Sequence, residues 1–179
     1  MDLTSEDIHG LLDEFIQRLK DVGYEGWIDV YGGSAVAHYH NERQATQDKD
    51  SFYYPVTMLE IVAKDMAAAH PGLGEKWINN GVSAVMPPYE DDNPKIYYDD
   101  GKLTVRIASE RYLLAMKVTT SRRSVVDVAD AVILFNSLRL ETVDDIEEIV
   151  NRYYGEFFER DETWGLYLEN VAQTARRDH

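Results

Sequence analysis

Apolar residues near the N-terminus fall at helical spacing. Ile8, Leu11, Leu12, Phe15, Ile16 and Leu19 mark one face, Thr4 and Asp7 can form a capping box, and Gly23 stops the pattern. An amphipathic helix is predicted there. Trp27, Ile28, Val30 and Tyr31 then make a short strand pattern that runs into Gly32-Gly33, and SAVAHYHN begins a short helix. A Gly-Gly step between strand and helix admits two readings: close approach of backbone to a ligand, or simply a turn. The stretch TQDKDSFYYP is β-prone at its aromatic end. Pro55 suits the first turn of a helix with Val56, Leu59, Val62, Ala63 and Met66 as its buried stripe.

Between His70 and Pro94 the chain is broken by Pro71, Gly72, Gly74, Gly81, Pro87 and Pro88. This predicts a loop-rich connection anchored by Trp77 and Ile78, with one short strand at SAVM. KIYYDDGKLTVRI predicts a β-hairpin turning at Asp99-Asp100-Gly101. Ser109 caps a helix through about residue 120, residues 125 to 138 form another, Thr142 with Asp145 opens a further one, and the remainder is helical. The expected fold class is α+β, a single domain over 1–179. Residues 1–108 are its α/β core and 109–179 its helical C-terminal part.

Composition narrows the possibilities. A chain of 179 residues with 44% hydrophobic residues has enough apolar material for a core. It contains no cysteine, which excludes disulfide scaffolds, thiol catalysis and Cys-type zinc sites. No apolar run approaches the roughly 18 residues that span a bilayer and no leader pattern opens the chain, so no membrane partner and a cytoplasmic location are expected. The formal charge of −15 argues against a nucleic-acid coat or an anionic-membrane binder. The charge is unevenly spread, however. Lys102, Arg106, Arg111, Lys117, Arg122 and Arg123 face only Glu110 within residues 101 to 125, for a net +5, whereas residues 138 to 162 carry a net −6. A local anion site is compatible with the total.

The sharpest chemical feature is Asp48-Lys49-Asp50. Alternate side chains on a strand share a face, so two carboxylates would project together, an arrangement that favours a hard divalent cation. By itself the pattern reads more readily as a solvated acidic loop in a chain with 33 acids. Gly32-Gly33-Ser34 precedes it, with 13 residues between Ser34 and Asp48. A strand, a Gly-Gly-Ser turn, a short helix and a strand bearing paired acids resembles the nucleotidyltransferase superfamily. More narrowly, Arg43-x-x-Thr46-x-Asp48-x-Asp50 resembles the form found in AbiEii-type toxins of type IV toxin–antitoxin systems. GLGEKWINN resembles a later segment of small members of that group, and ASERYLLAMKVTTSRRSVVDVADAVIL resembles a later motif with a Lys on one helix and Asp-x-x-Asp on the next. The resemblance covers roughly residues 27 to 135.

The resemblance implies a nucleotidyltransferase-like small mixed sheet flanked by helices, and transfer of an NMP from an NTP to a hydroxyl of tRNA or of a protein. Asp48 and Asp50 would bind Mg2+ or Mn2+, and Gly32, Gly33, Ser34, Arg43 and Thr46 would line the nucleotide site. Lys117 would neutralise phosphate charge, with Asp127 or Asp130 orienting Lys117 or assisting as a base. An antitoxin protein is the implied partner. Two departures stand out. Lys49 replaces the usual apolar residue between the acids, and LTVRIAS offers no third acid on a later strand. Both favour an alternative, a catalytically silent binding module of the same fold. A generic acidic interaction protein with a chance D-x-D is the third reading.

Other residues read as structural. His38 and His40 diverge on a short helix, and with His9, His70 and His179 they form no metal-ligand pattern. Ser34 is either a turn hydroxyl near phosphate or a helix N-cap. Outside the family context, Asp127 and Asp130 read as surface residues. Tyr97-Tyr98 and Tyr153-Tyr154 are candidates for base stacking or for packing.

Overall fold

The computed structural model of the protein describes residues 5–40, 49–84, 86–121 and 123–177. Among these lie seven α-helices and a five-stranded mixed sheet, an α+β fold. No described helix is long and apolar enough to cross a membrane. The chain divides into two compact units: residues 1–84 with 94–108, and residues 85–93 with 109–179. The excursion of residues 85–93 into the second unit has no counterpart in the sequence reading.

The first unit runs α1 (Ser5–Asp21), β1 (Gly26–Val30), α2 (Gly32–Tyr39), β2 (Lys49–Tyr54), α3 (Val56–Ala69), β3 (Ile78–Asn79), β4 (Lys95–Asp99) and β5 (Leu103–Ile107). The strands lie in the order β3-β2-β1-β5-β4. β1 is antiparallel to β2 and parallel to β5, while β4 and β5 form the expected hairpin. In its turn Asp100 accepts from the backbone of Lys102 and Leu103, and Gly101 takes the left-handed φ of +83°. Strand alternation sorts the side chains into two faces. Ile28, Val30, Tyr53, Leu103, Val105 and Ile107 are buried together with Phe15 and Leu19 of α1 and Leu59 and Met66 of α3. Trp27, Asp29, Phe52, Thr104 and Arg106 occupy the opposite face and are only half-buried. Trp77 is an interior anchor, as expected: its indole N–H donates to the Ala63 carbonyl at 3.0 Å and its ring meets Phe15 edge-on.

Two local expectations are corrected. A short strand sits at Ile78–Asn79, where it pairs in parallel with Lys49 and Asp50 of β2; of the strand expected at SAVM, residues 83 and 84 lie in a 3-10 turn over 81–84 and residue 85 lies outside the described residues. Pro55 is the N-cap of α3 rather than a residue of its first turn.

The second unit is built on α4 (Glu110–Thr119), α5 (Val125–Ser137), α6 (Val143–Tyr154) and α7 (Glu162–Arg177). Its N-termini are written in the sequence. Ser109 caps α4, and Ser124 with Asp127 and Thr142 with Asp145 form reciprocal capping boxes on α5 and α6. α4 packs on α5, α6 and α7 around Leu114, Val118, Leu134, Ile146, Val150 and Leu168. The Trp164 indole N–H donates to the Val118 carbonyl at 2.8 Å. The 85–93 segment is fastened here by its polar groups. Asp91 accepts from the backbone N–H and hydroxyl of Ser109, Asp92 binds Arg152 and Tyr153, and Tyr89 N–H donates to the Tyr153 carbonyl.

Candidate functional site

The Gly-Gly turn closes β1 and opens α2. Tyr31 is the helix N-cap, and its N–H donates to the Asp50 carbonyl at 2.8 Å, so the β1–β2 ladder continues one step past Val30. That step sets Asp50 opposite Tyr31, on the half-buried face that carries Asp29 and Phe52. Gly32 has φ +61°, and a Cβ placed on it would collide with the Asp50 carboxylate. Glycine is required there twice over: for its left-handed backbone and for the space that the carboxylate fills. Gly33 and Ser34 continue as the first turn of α2 and are buried. Ser34 is not the N-cap; its hydroxyl donates back to the Tyr31 carbonyl at 3.1 Å. Asp50 makes no ion pair with a described side chain.

Next to Asp50 along β2 comes a row that sequence reasoning missed. Asp29, Phe52 and Arg106 are direct neighbours across β1, β2 and β5. Arg106 donates to Asp29 through Nε at 2.5 Å and Nη2 at 2.7 Å, a bidentate pair. Trp27 lies one step further on, its ring 5.1 Å from Phe52 and 6.0 Å from the Arg106 guanidinium. The available signal was the single charge on the polar side of each strand, Asp29 in WIDV and Arg106 in LTVRI. Their parallel pairing joins residues 77 apart and was invisible locally.

In the second unit the structure brings together Lys117, Asp127 and Asp130. Lys117 Nζ lies 3.2 Å from Asp127 and 2.8 Å from Asp130. Both carboxylates are 1% exposed, so the expectation of surface acids is wrong. The other Asp127 oxygen accepts from the backbone and hydroxyl of Ser124. Nearby, Tyr167 is pushed up to about 12, by burial first and then by the Asp127 charge. Its hydroxyl and the Arg123 Nε are buried without a hydrogen-bond partner among the described residues, and Arg123 holds the strained φ of +42°.

Arg43, Thr46 and Asp48, together with the side chain of Lys49, lie outside the described residues, as does Arg122. Three of the basic residues between 101 and 125 are engaged in ion pairs: Lys102 with Glu25, Arg106 with Asp29, and Lys117 with its two acids. His38 is structural, as expected. Lys95 donates to its Nε2 at 3.1 Å, which leaves the Nδ1–H to donate to His9 Nε2 at 2.7 Å, tying α1, α2 and β4 together. Tyr97 is likewise tied to Asp13 of α1, at 2.7 Å. Each unit also has an open cleft. One, of about 580 Å³, is lined by Tyr53, Glu60, Lys64 and Lys76; the other, of about 610 Å³, by Asp92, Arg111, Glu148 and Arg152. Neither cleft contains a residue assigned to the nucleotide site.

Among the described residues no group of three or more His, Asp or Glu side chains is placed to hold a metal ion. Asp50 supplies a hard oxygen donor, the type that Mg2+ prefers. Comparison with family models, with curated proteins and with solved structures gives no match for this chain.

Proposed function

We propose that the protein is a nucleotidyltransferase whose nucleotide site is the Gly32–Ser34 turn with Asp50. One observation carries this reading: the Asp50 carboxylate is seated on Gly32 at the first turn of α2. The start of a helix attracts phosphate through its backbone N–H groups and dipole. A carboxylate in the same place repels phosphate unless a cation stands between them, so the pairing suits a metal–triphosphate rather than a free anion. Asp50, with Asp48, would hold Mg2+ or Mn2+, which supplies charge neutralisation for the phosphates.

In the reaction, an acceptor hydroxyl oxygen forms a bond to the α-phosphorus and the bond from that phosphorus to the α–β bridging oxygen breaks. Pyrophosphate leaves with the electron pair, and the hydroxyl proton passes to solvent. This chain's contribution is to bind and orient. The α2 turn positions the phosphates, and Gly32 lets Asp50 approach. By the sequence resemblance, the acceptor is a tRNA end or a protein hydroxyl and the cellular setting a toxin–antitoxin pair.

A second reading, a silent module of the same fold, draws on the bidentate Arg106–Asp29 pair, which places a cation on the β5 face next to Asp50's strand pair. Labelled NTP with Mg2+, supplied with total tRNA or with candidate proteins, separates the two. Wild type is expected to transfer label and Asp50→Asn to lose at least a hundredfold. Label transfer undiminished in Asp50→Asn would sink the mechanism, and absence of transfer with every NTP and acceptor would favour the silent module.

A further inference from the structure

The half-buried face of the first unit's sheet places two aromatic rings beside the proposed phosphate site. Phe52 is two residues from Asp50 on β2, on the same face, which sets it about 7 Å along the strand. That is the scale of the ribose separating the phosphates of a nucleotide from its base. Trp27 adjoins Phe52 at 5.1 Å, tilted by 57°, and the guanidinium of Arg106, itself held by Asp29, bounds the indole on its β5 side. Two aromatic rings thus cluster on this half-buried face on the strands beside Asp50. Trp77 and Trp164 are buried at 1% and 2% exposure, whereas Trp27 is not among the buried residues.

We propose that Trp27 and Phe52 form a nucleobase-binding platform, on which the base of the nucleotide stacks while its phosphates reach the Gly32 turn. The assignment deepens the nucleotidyltransferase reading and rests on it for the position of the phosphates. Stacking on aromatic faces tolerates every base, so the platform binds nucleotides as a class. Arg106 is a positioning residue, fixing the indole through a cation–π contact rather than touching the base.

The test uses the full chain with Mg2+ and three probes: ATP, adenosine and inorganic tripolyphosphate, followed by calorimetry and by tryptophan emission. ATP and adenosine are expected to change the emission, and tripolyphosphate is not. Trp27→Phe keeps a π-face, so it should retain ATP binding in the calorimeter but lose the emission change. Phe52→Leu keeps apolar bulk without the ring. It should weaken ATP and adenosine about tenfold and leave tripolyphosphate unaffected. Circular dichroism melts establish that both variants fold. Unchanged ATP and adenosine affinity in folded Phe52→Leu, or an emission change surviving in Trp27→Phe, overturns the platform while leaving the phosphate site standing if tripolyphosphate binds. Adenosine binding that is sensitive to Phe52, with neither tripolyphosphate binding nor label transfer, sinks the transferase reading and leaves the platform. Failure of all three probes to bind overturns both.

Discussion

Asp127 of the second unit and Asp50 of the first both bring a carboxylate to the N-terminal turn of a helix. Asp127 comes from the helix itself, at its third position, and is consumed by the capping box and by Lys117. Asp130 follows one turn later and shares the same ammonium. Asp50 comes from a different element, β2, and reaches the α2 turn only because Gly32 has no side chain. An acid supplied by the helix closes local hydrogen bonds and serves folding. An acid delivered from a neighbouring strand onto a glycine turn closes no such local pair: Asp50 makes no ion pair with a described side chain.

This contrast can be broken most decisively at Lys117. Lys117→Met leaves two buried carboxylates without their cation and is expected to cost about 3–5 kcal/mol in urea unfolding. Asp50→Asn, measured the same way, should change stability by no more than about 0.5 kcal/mol, as for an ordinary surface change. Equal losses for the two would erase the distinction drawn between Asp127 and Asp50.

Gly32→Ala comes next. The left-handed backbone alone penalises a side chain by about 1–2 kcal/mol, and the collision with Asp50 adds to it. In an Asp50→Ala background the same substitution should cost less, so a double-mutant cycle should show coupling between the two positions. Strict additivity would mean that the carboxylate does not occupy the space above Gly32.

The smallest effect is expected from acid titration of a purely structural carboxylate. Asp100 is held down to about 2 by the backbone N–H of Leu103 first, then by the Tyr98 hydroxyl and the Lys102 N–H. Its folded-state value lies below the unfolded one of about 3.9, so its contribution is complete above that value and lost as pH falls toward 2. Asp100→Ala should therefore be less stable than wild type at neutral pH, with the gap closing between about pH 4 and pH 2. A gap independent of pH would show that the hairpin turn does not depend on the carboxylate charge.

Features whose partners lie within a few residues were legible in the sequence. The Asp99–Gly101 turn, the Ser109 cap and the Thr142–Asp145 capping box all fall where their residue types require. What escaped depends on pairing between distant segments. β3 was displaced from its expected position because its partner, the start of β2, lies some thirty residues upstream and propensity favoured SAVM over Ile78–Asn79. The Asp29–Arg106 pair needed the parallel register of β1 and β5. Asp127 and Asp130 read as surface residues because two acids three apart on one helix face usually face water, and the neighbouring Lys117 makes their burial tolerable. Of the candidate site, the Gly-Gly turn and Asp50 were readable as a motif; the Trp27–Phe52 cluster was not, since each ring alone looked like ordinary strand filling.

The excursion of residues 85–93 bears on how the chain is made. When the ribosome has released only residues 1–84, β1 has β2 on one side and nothing yet on the other, because β5 is encoded beyond the excursion. Until Leu103–Ile107 is present, β1, central in the finished sheet, lacks the strand it pairs with in parallel, and an unpaired strand edge is a template for pairing with another chain.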